Sequence, residues 1–204
     1  MTLDAVSVDT EPPAKTPARV LEIIAEAERR IEAFDNAHAS NPLPAFVASD
    51  FALAHHVLEQ IVRYGLAPGN RFCEWGSGFG VVTLLAAELG LTAYGIEIEP
   101  ELIDESNLLA DEFGVNAEFI CGSMIPTGVE VDVNYETNIA WLDTNGASAY
   151  DELELDIDDF DIVYAYPWPG EELTIDDLFW DHAARGALLV TFLGAGDISV
   201  QRKK

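Results

Sequence analysis

The segment FCEWGSGFGVVTLLAAELG (72–90) constrains this chain more than any other. An apolar run ends at Glu74, glycines follow at alternate positions 76, 78 and 80, and an apolar helix-forming stretch starts at once. Glycine lets a backbone enter left-handed conformations and pass close to a ligand, because nothing projects from its Cα. A helix that begins directly behind such a turn points its unsatisfied N–H groups and the positive end of its dipole at whatever lies in front of the loop. The segment reads as a strand–turn–helix unit, the repeating piece of a parallel sheet.

The chain after Pro68-Gly69 repeats that piece. Strands are expected at 71–75, 92–98, 116–122, 160–166 and 186–194, with a short final strand in DISVQRK. Helices fall between them: VVTLLAAELG, a second from Pro100 to about Phe113, and a third from about Leu173 to Ala184. This alternation predicts a doubly wound α/β fold, a mostly parallel sheet with helices on both faces. Upstream, Thr16-Pro17 reads as a cap followed by proline in the first helical turn. Val20, Ile23, Ile24, Ala27, Ile31 and Phe34 then form one stripe of a helix through about Asn36. Ser49 is placed to cap a second helix that carries Phe51, Leu53, Val57, Ile61 and Val62 and ends at Gly65. The expected organisation is a flexible N-terminal arm (1–15), N-terminal helices (16–66) and an α/β core (70–204). Residues 124–159 interrupt the alternation as an insertion between the third and fourth core strands. It is a hairpin from VEVDVNY and IAWL with an Asn145-Gly146 turn, or a short helix, followed by an acidic loop from Asp151 to Asp159.

The chain has 204 residues, with 37 acidic against 10 basic, and no lysine or arginine between Arg71 and Arg185. Binding a nucleic-acid backbone relies on such cations to displace counterions, so DNA and RNA are disfavoured as partners. The acidity fits either a solvated surface that maintains solubility in a salty cytoplasm or an acidic mouth that attracts a cationic substrate. A chain of this length fits one domain. No apolar run approaches the roughly 18 residues of a membrane span. The start lacks a signal-peptide pattern, which points to the cytoplasm. Cys73 and Cys121 read as small buried hydrophobes and free thiols, because the second core strand would lie between theirs. Adjacent His55 and His56 diverge on a helix and read as surface or half-buried, so they form no metal pair, and no metal-ligand cluster stands out.

The glycine spacing departs from the dinucleotide pattern G-x-G-x-x-G, since Val81 stands where the third glycine would be. With Glu74 two positions before the first glycine, the loop resembles motif I of the class I, Rossmann-like S-adenosylmethionine-dependent methyltransferases. The resemblance covers roughly residues 45–195. It implies that Glu74, Gly76, Ser77, Gly78 and Gly80 hold the methionine part of S-adenosyl-L-methionine. It also implies that Glu97, followed by Ile98 at the end of the second core strand, accepts hydrogen bonds from both ribose hydroxyls. Gly122, Ser123 and Met124 are implied at the adenine, with Ser123 standing where the family commonly has aspartate.

At the end of the fourth core strand, Tyr164-Ala165-Tyr166-Pro167-Trp168-Pro169-Gly170-Glu171-Glu172 resembles motif IV, the wall where cofactor and acceptor meet. Tyr166 replaces the Asp or Asn of members that methylate base nitrogens. The Pro-Trp-Pro piece is similar to tRNA guanine-N7 methyltransferases, whereas the missing basic residues speak against tRNA. Tyr166 and Trp168 are the candidate catalytic residues: Tyr166 as polar contact or base, Trp168 and Phe79 as cation–π partners. Phe46, Ser49, Asp50 and Phe51 sit where many family members bring an N-terminal segment over the cofactor. The expected function is in-line methyl transfer to a protein amine or a small-molecule amine, with no nucleic acid and no membrane. The alternatives are an S-adenosylmethionine-binding regulatory module without turnover and an NAD-linked oxidoreductase, the latter disfavoured by the glycine spacing.

Overall fold

The computed structural model describes residues 3–11, 15–39, 47–131 and 146–204. Its strands are β1 (Asp4–Ala5), β2 (Arg71–Trp75), β3 (Thr92–Glu97), β4 (Glu118–Cys121), β5 (Ile162–Ala165), β6 (Leu188–Gly194) and β7 (Asp197–Arg202). They form one sheet in the order β1-β7-β6-β5-β2-β3-β4. The pairs among β4, β3, β2, β5 and β6 are all parallel, while β7 runs antiparallel to β6 and β1 antiparallel to β7. The expected doubly wound α/β architecture is the observed one.

The side-chain period of two sorts each central strand between two apolar layers. Phe72, Ile162, Tyr164, Leu188 and Val190 pack with α1 (Ala18–Ala37), α2 (Phe51–Arg63), α3 (Val81–Glu88) and α4 (Pro100–Phe113). Cys73, Trp75, Val163, Ala165 and Leu189 face α5 (Ala149–Leu153) and α6 (Glu172–His182). Helix α1 is held by its stripe, with Val20, Ile23, Ile24, Ala27 and Ile31 all buried. Polar ties then fix it to α4: Arg30 pairs with Glu105 and Glu112, and Arg19 donates to the Phe113 carbonyl. Exposed pairs of this kind contribute little each, so the apolar stripe carries the docking.

Several expectations are corrected. The flexible arm instead supplies β1, and beyond it the Asp9 N–H donates to Gln60 Oε1 at 2.8 Å. The edge of β7 offers unpaired backbone groups, and the arm satisfies some of them. Helix α1 begins at Ala18 with Pro17 in the cap position, one residue later than Thr16-Pro17 suggested. Asp50, not Ser49, caps α2, its Oδ1 accepting from Leu53 N at 3.0 Å. Cys73 is buried as expected, whereas Cys121 is exposed at the end of β4; both thiols are free. His55 is fully buried at 3% exposure. Within the insertion, the acidic stretch forms α5 and a 3-10 turn at Ile157–Asp159, held by Tyr150, Ile157 and Phe160 in the core. IAWL, Asn145 and most of VEVDVNY fall in residues 132–145, outside the described residues, as does Phe46. No helix of the described residues is long and apolar enough to cross a membrane.

The cap assignment is testable by chemical denaturation. Asp50→Ala is expected to cost about 1 kcal/mol, the usual value of an N-cap. Ser49→Ala is expected to stay within about 0.5 kcal/mol of the parent, as for a substitution that removes no cap. Equal losses at the two positions would contradict the assignment.

Candidate functional site

The glycine loop is stitched to its neighbours at every turn. Gly76 N and Ser77 N both donate to the Ile96 carbonyl of β3 at 2.9 Å, and Gly80 N donates to Ser77 O at 2.7 Å. Gly78 N donates to Glu97 Oε2 at 2.8 Å, and the buried Ser106 hydroxyl of α4 lies 2.9 Å from Gly78 O.

Gly76 and Gly80 both need positive φ, at +71° and +68°, but for different purposes. A Cβ on Gly76 would meet nothing within 4 Å, so this glycine leaves open space in front of the loop. A Cβ on Gly80 would lie 2.3 Å from the Phe119 ring and 3.0 Å from Ser106 Cβ. Gly80 therefore packs the start of α3 against β4 and α4. It is not among the residues that line the cavity described next.

A cavity of about 370 Å³ lies at the carboxyl ends of β2, β3 and β5. The chain winds from β2 outward to β4 and returns at β5 on the other side of β2. Ligand crevices of open α/β sheets form at such a reversal. The lining brings together Glu74, Gly76, Ser77, Gly78, Glu97, Ile98, Gly122, Ser123 and Met124 with Tyr166 and Trp168. Ala48, Ser49 and Phe51 close it from the N-terminal side, as expected for that segment. Phe79 also lines it, at 1% exposure, with its ring edge on Phe34 at 5.4 Å.

Two buried carboxylates shape this site. Glu74 Oε2 accepts from Thr83 N at 2.8 Å and Thr83 Oγ1 at 2.6 Å, so Glu74 caps α3 from the adjacent strand. Burial pushes its carboxyl up to about 8, opposed by the two Thr83 bonds. Glu97 accepts from Gly78 N, Ile98 N and Glu99 N at 2.8, 2.8 and 3.1 Å. Burial raises its pKa as well, against those three amide bonds. A carboxylate offers roughly four acceptor positions, so three are used by the chain's own amides.

Ser123 is buried, and its backbone is committed: its N–H donates to Ala147 O at 2.8 Å and its carbonyl accepts from Ala149 N at 2.9 Å. Ser123 Oγ accepts from Ile125 N at 3.2 Å. The Ser77 hydroxyl is buried without a hydrogen-bond partner.

Tyr164 and Glu171 belong to the segment expected as the wall toward the acceptor, and Ile175 is a lining residue that sequence reasoning missed. Tyr164 stands opposite Glu74 in the β2–β5 register, so strand alternation alone puts both side chains on one face. Its hydroxyl faces Ser49 but finds no partner in hydrogen-bonding geometry, and burial pushes its pKa far above the ordinary tyrosine range. Glu171 sits at the start of the helix that follows β5, the segment that a crevice at this reversal uses. Among the described residues no group of His, Cys, Asp or Glu could hold a metal.

The raised pKa of Glu74 fixes the sign of a stability effect. Between about pH 4.5 and 8 the folded chain holds a proton on Glu74 that the unfolded chain has lost. Stability contributed by this group therefore falls as pH rises through that window. Glu74→Gln keeps an acceptor for Thr83 and removes the charge. The variant is expected to gain stability over the parent as pH increases, on the order of a few kcal/mol by pH 8 to 9. Thermal melts of both proteins from pH 4.5 to 9 check this; parallel pH profiles would contradict it.

No protein-family model matches the chain. It is 30% identical over 90 residues to a ribosomal protein L11 methyltransferase of Thermus thermophilus, 42% of this chain and 35% of that protein. It is 27% identical over 88 residues to a protein-L-isoaspartate O-methyltransferase of Cytophaga hutchinsonii, 43% of this chain and 40% of that protein. The matches thus span less than half the length of these curated relatives. Among solved structures, the S-adenosylhomocysteine-bound methyltransferase PaMTH1 of Podospora anserina matches at a TM-score of 0.54 and 14% identity, over 86% of this chain and 62% of that one. The fold of this chain is that of the class I, Rossmann-like S-adenosylmethionine-dependent methyltransferases.

Proposed function

We propose that the chain is a methyltransferase that binds S-adenosyl-L-methionine at the glycine loop and transfers its methyl group to an amine, of a protein side chain or a small molecule. The observation that carries this reading is the cavity in front of Gly76. It combines open space over a left-handed glycine, a partnerless buried Ser77 hydroxyl and buried Glu74 and Glu97, with no lysine or arginine among its lining residues. A ligand with a positive charge and several hydroxyl and amino groups suits such a surface.

When bound, the cofactor would supply an electrophilic methyl group: the acceptor amine gives up a proton to solvent, its lone pair forms the new N–C bond, and the C–S electrons pass to sulfur. The chain's task is to hold and align. Gly76 and Gly78 leave room for the methionine end, and Ser77 offers it a hydroxyl. Glu97 and Ile98 border the ribose and adenine side, with Gly122, Ser123 and Met124 beyond them. Tyr166 and Trp168 form the wall toward the acceptor, Tyr166 as its polar contact. Two curated relatives are named for protein acceptors, in keeping with a protein amine. The missing basic residues argue against nucleic acid.

A cofactor-binding module without turnover shares the first half of this reading. Calorimetry with S-adenosylmethionine and S-adenosylhomocysteine is expected to give binding in the micromolar range and none with NAD. Gly76→Ala is expected to cost about 1–2 kcal/mol of stability, because alanine is strained at this left-handed φ, and to weaken cofactor binding by about tenfold or more, since the methyl fills the ligand's space. No binding by the parent at millimolar ligand would sink the proposal. Transfer of a labelled methyl group to lysate fractions separates enzyme from binder.

A further inference from the structure

The cavity has two flanks, because β3 and β5 lie on opposite sides of β2. On the β3 flank, Glu97 binds the chain's own loop amides, and Glu74 beneath the loop binds Thr83 of α3. Their role is to shape the loop. The β5 flank is built differently, from Tyr164, Tyr166, Trp168, Glu171 and Ile175. Glu171 is a carboxylate at only 7% exposure. It is locked beside Trp168 by a reciprocal pair: Glu171 N donates to Trp168 O at 2.9 Å, and Trp168 N donates to Glu171 Oε2 at 3.3 Å. It stands at the N-terminus of the eleven-residue helix α6.

A second observation points to a ligand on this flank. The Tyr164 hydroxyl, 1% exposed, lines the cavity facing Ser49 but, among the described residues, meets no partner in full hydrogen-bonding geometry. Buried hydroxyls in folded proteins are almost always bonded. A donor arriving with the ligand would satisfy it.

We propose that the β5 flank is a recognition pocket for an alkylammonium group, with Glu171 as its charge-matching residue and the rings of Tyr166 and Trp168 as its walls. This rests on the reading of the cavity as a methyltransferase site. A buried carboxylate beside aromatic faces suits a cation that must be partly stripped of water. An anionic acceptor would meet carboxylates and no cationic side chain among the lining residues. Each transfer needs the ammonium to lose a proton to solvent first; its product is a larger ammonium, quaternary after the third transfer, and aromatic faces bind such methylated cations well. The pocket therefore holds both an amine substrate and its methylated product, which permits more than one methyl transfer to the same nitrogen.

The test is calorimetry on the full chain, with and without saturating S-adenosylhomocysteine, using four probes: n-butylammonium, n-butyltrimethylammonium, pentanoate and pentan-1-ol. Both ammonium probes are expected to bind about tenfold or more tightly than the anion and the alcohol. Glu171→Gln is expected to weaken ammonium binding about tenfold or more while S-adenosylhomocysteine affinity stays within about twofold. Glu172→Gln, whose native carboxylate accepts from Gly170 N at 2.8 Å, is expected to change neither. Glu171→Asp keeps the charge and should retain part of the ammonium binding, which guards against a Gln variant that folds poorly. Equal binding of pentanoate or pentanol, or ammonium binding indifferent to Glu171→Gln, would overturn the proposal. Failure of S-adenosylhomocysteine to bind the parent overturns the cofactor reading alone, because the ammonium titrations on the unliganded chain still decide the pocket.

Discussion

Two carboxylates buried where charge is costly hold the loop on which the site depends. Glu97 reaches from the end of β3 to the Gly78 amide, and Glu74 reaches from β2 to the start of α3. Without those bonds the loop amides would lack internal acceptors in a region that excludes water, a state that folded proteins avoid. The glycines supply the left-handed turns, but the carboxylates choose which turns are made. The cost is visible in Glu74, which burial pushes up to about 8. A site that tolerates such a cost before any ligand arrives is suited to one bearing positive charge, which would offset it.

The alternating strands and helices were legible because burial on both faces of a parallel sheet imposes continuous apolar runs, as in Phe72-Cys73 and Ile162-Val163. The glycine loop was legible because few backbones need three glycines in alternation. What sequence concealed has physical reasons. Gly80 looks like its two partners in the sequence, yet its space is taken by Phe119, a residue from β4 brought near only by tertiary packing. Ser49 and Asp50 are both acceptable caps, and the choice fell to backbone geometry at one residue. Ile175 carries no motif; its place in α6 puts it in the wall. The arm at residues 3–11 has no periodicity to read, and it orders only because β7 leaves an edge to pair with.

The acidity is unevenly used. Most carboxylates are solvated, whereas Glu74, Glu97 and Glu171 are buried around one cavity. The long stretch without lysine or arginine means that no cation of the chain's core competes for them. Both parts of the proposed reaction use that lining: a sulfonium cofactor on one side of β2, and on the other an amine that binds as ammonium and loses its proton before transfer.

The most direct test of this account is a crystal structure of the chain soaked or grown with S-adenosylhomocysteine. The account predicts ligand density in the cavity, with the methionine end over Gly76–Gly78, a ribose hydroxyl at Glu97, and the sulfur turned toward Tyr166 and Trp168. Density at another surface, or a cavity that stays free of ligand at saturating concentration, would contradict it.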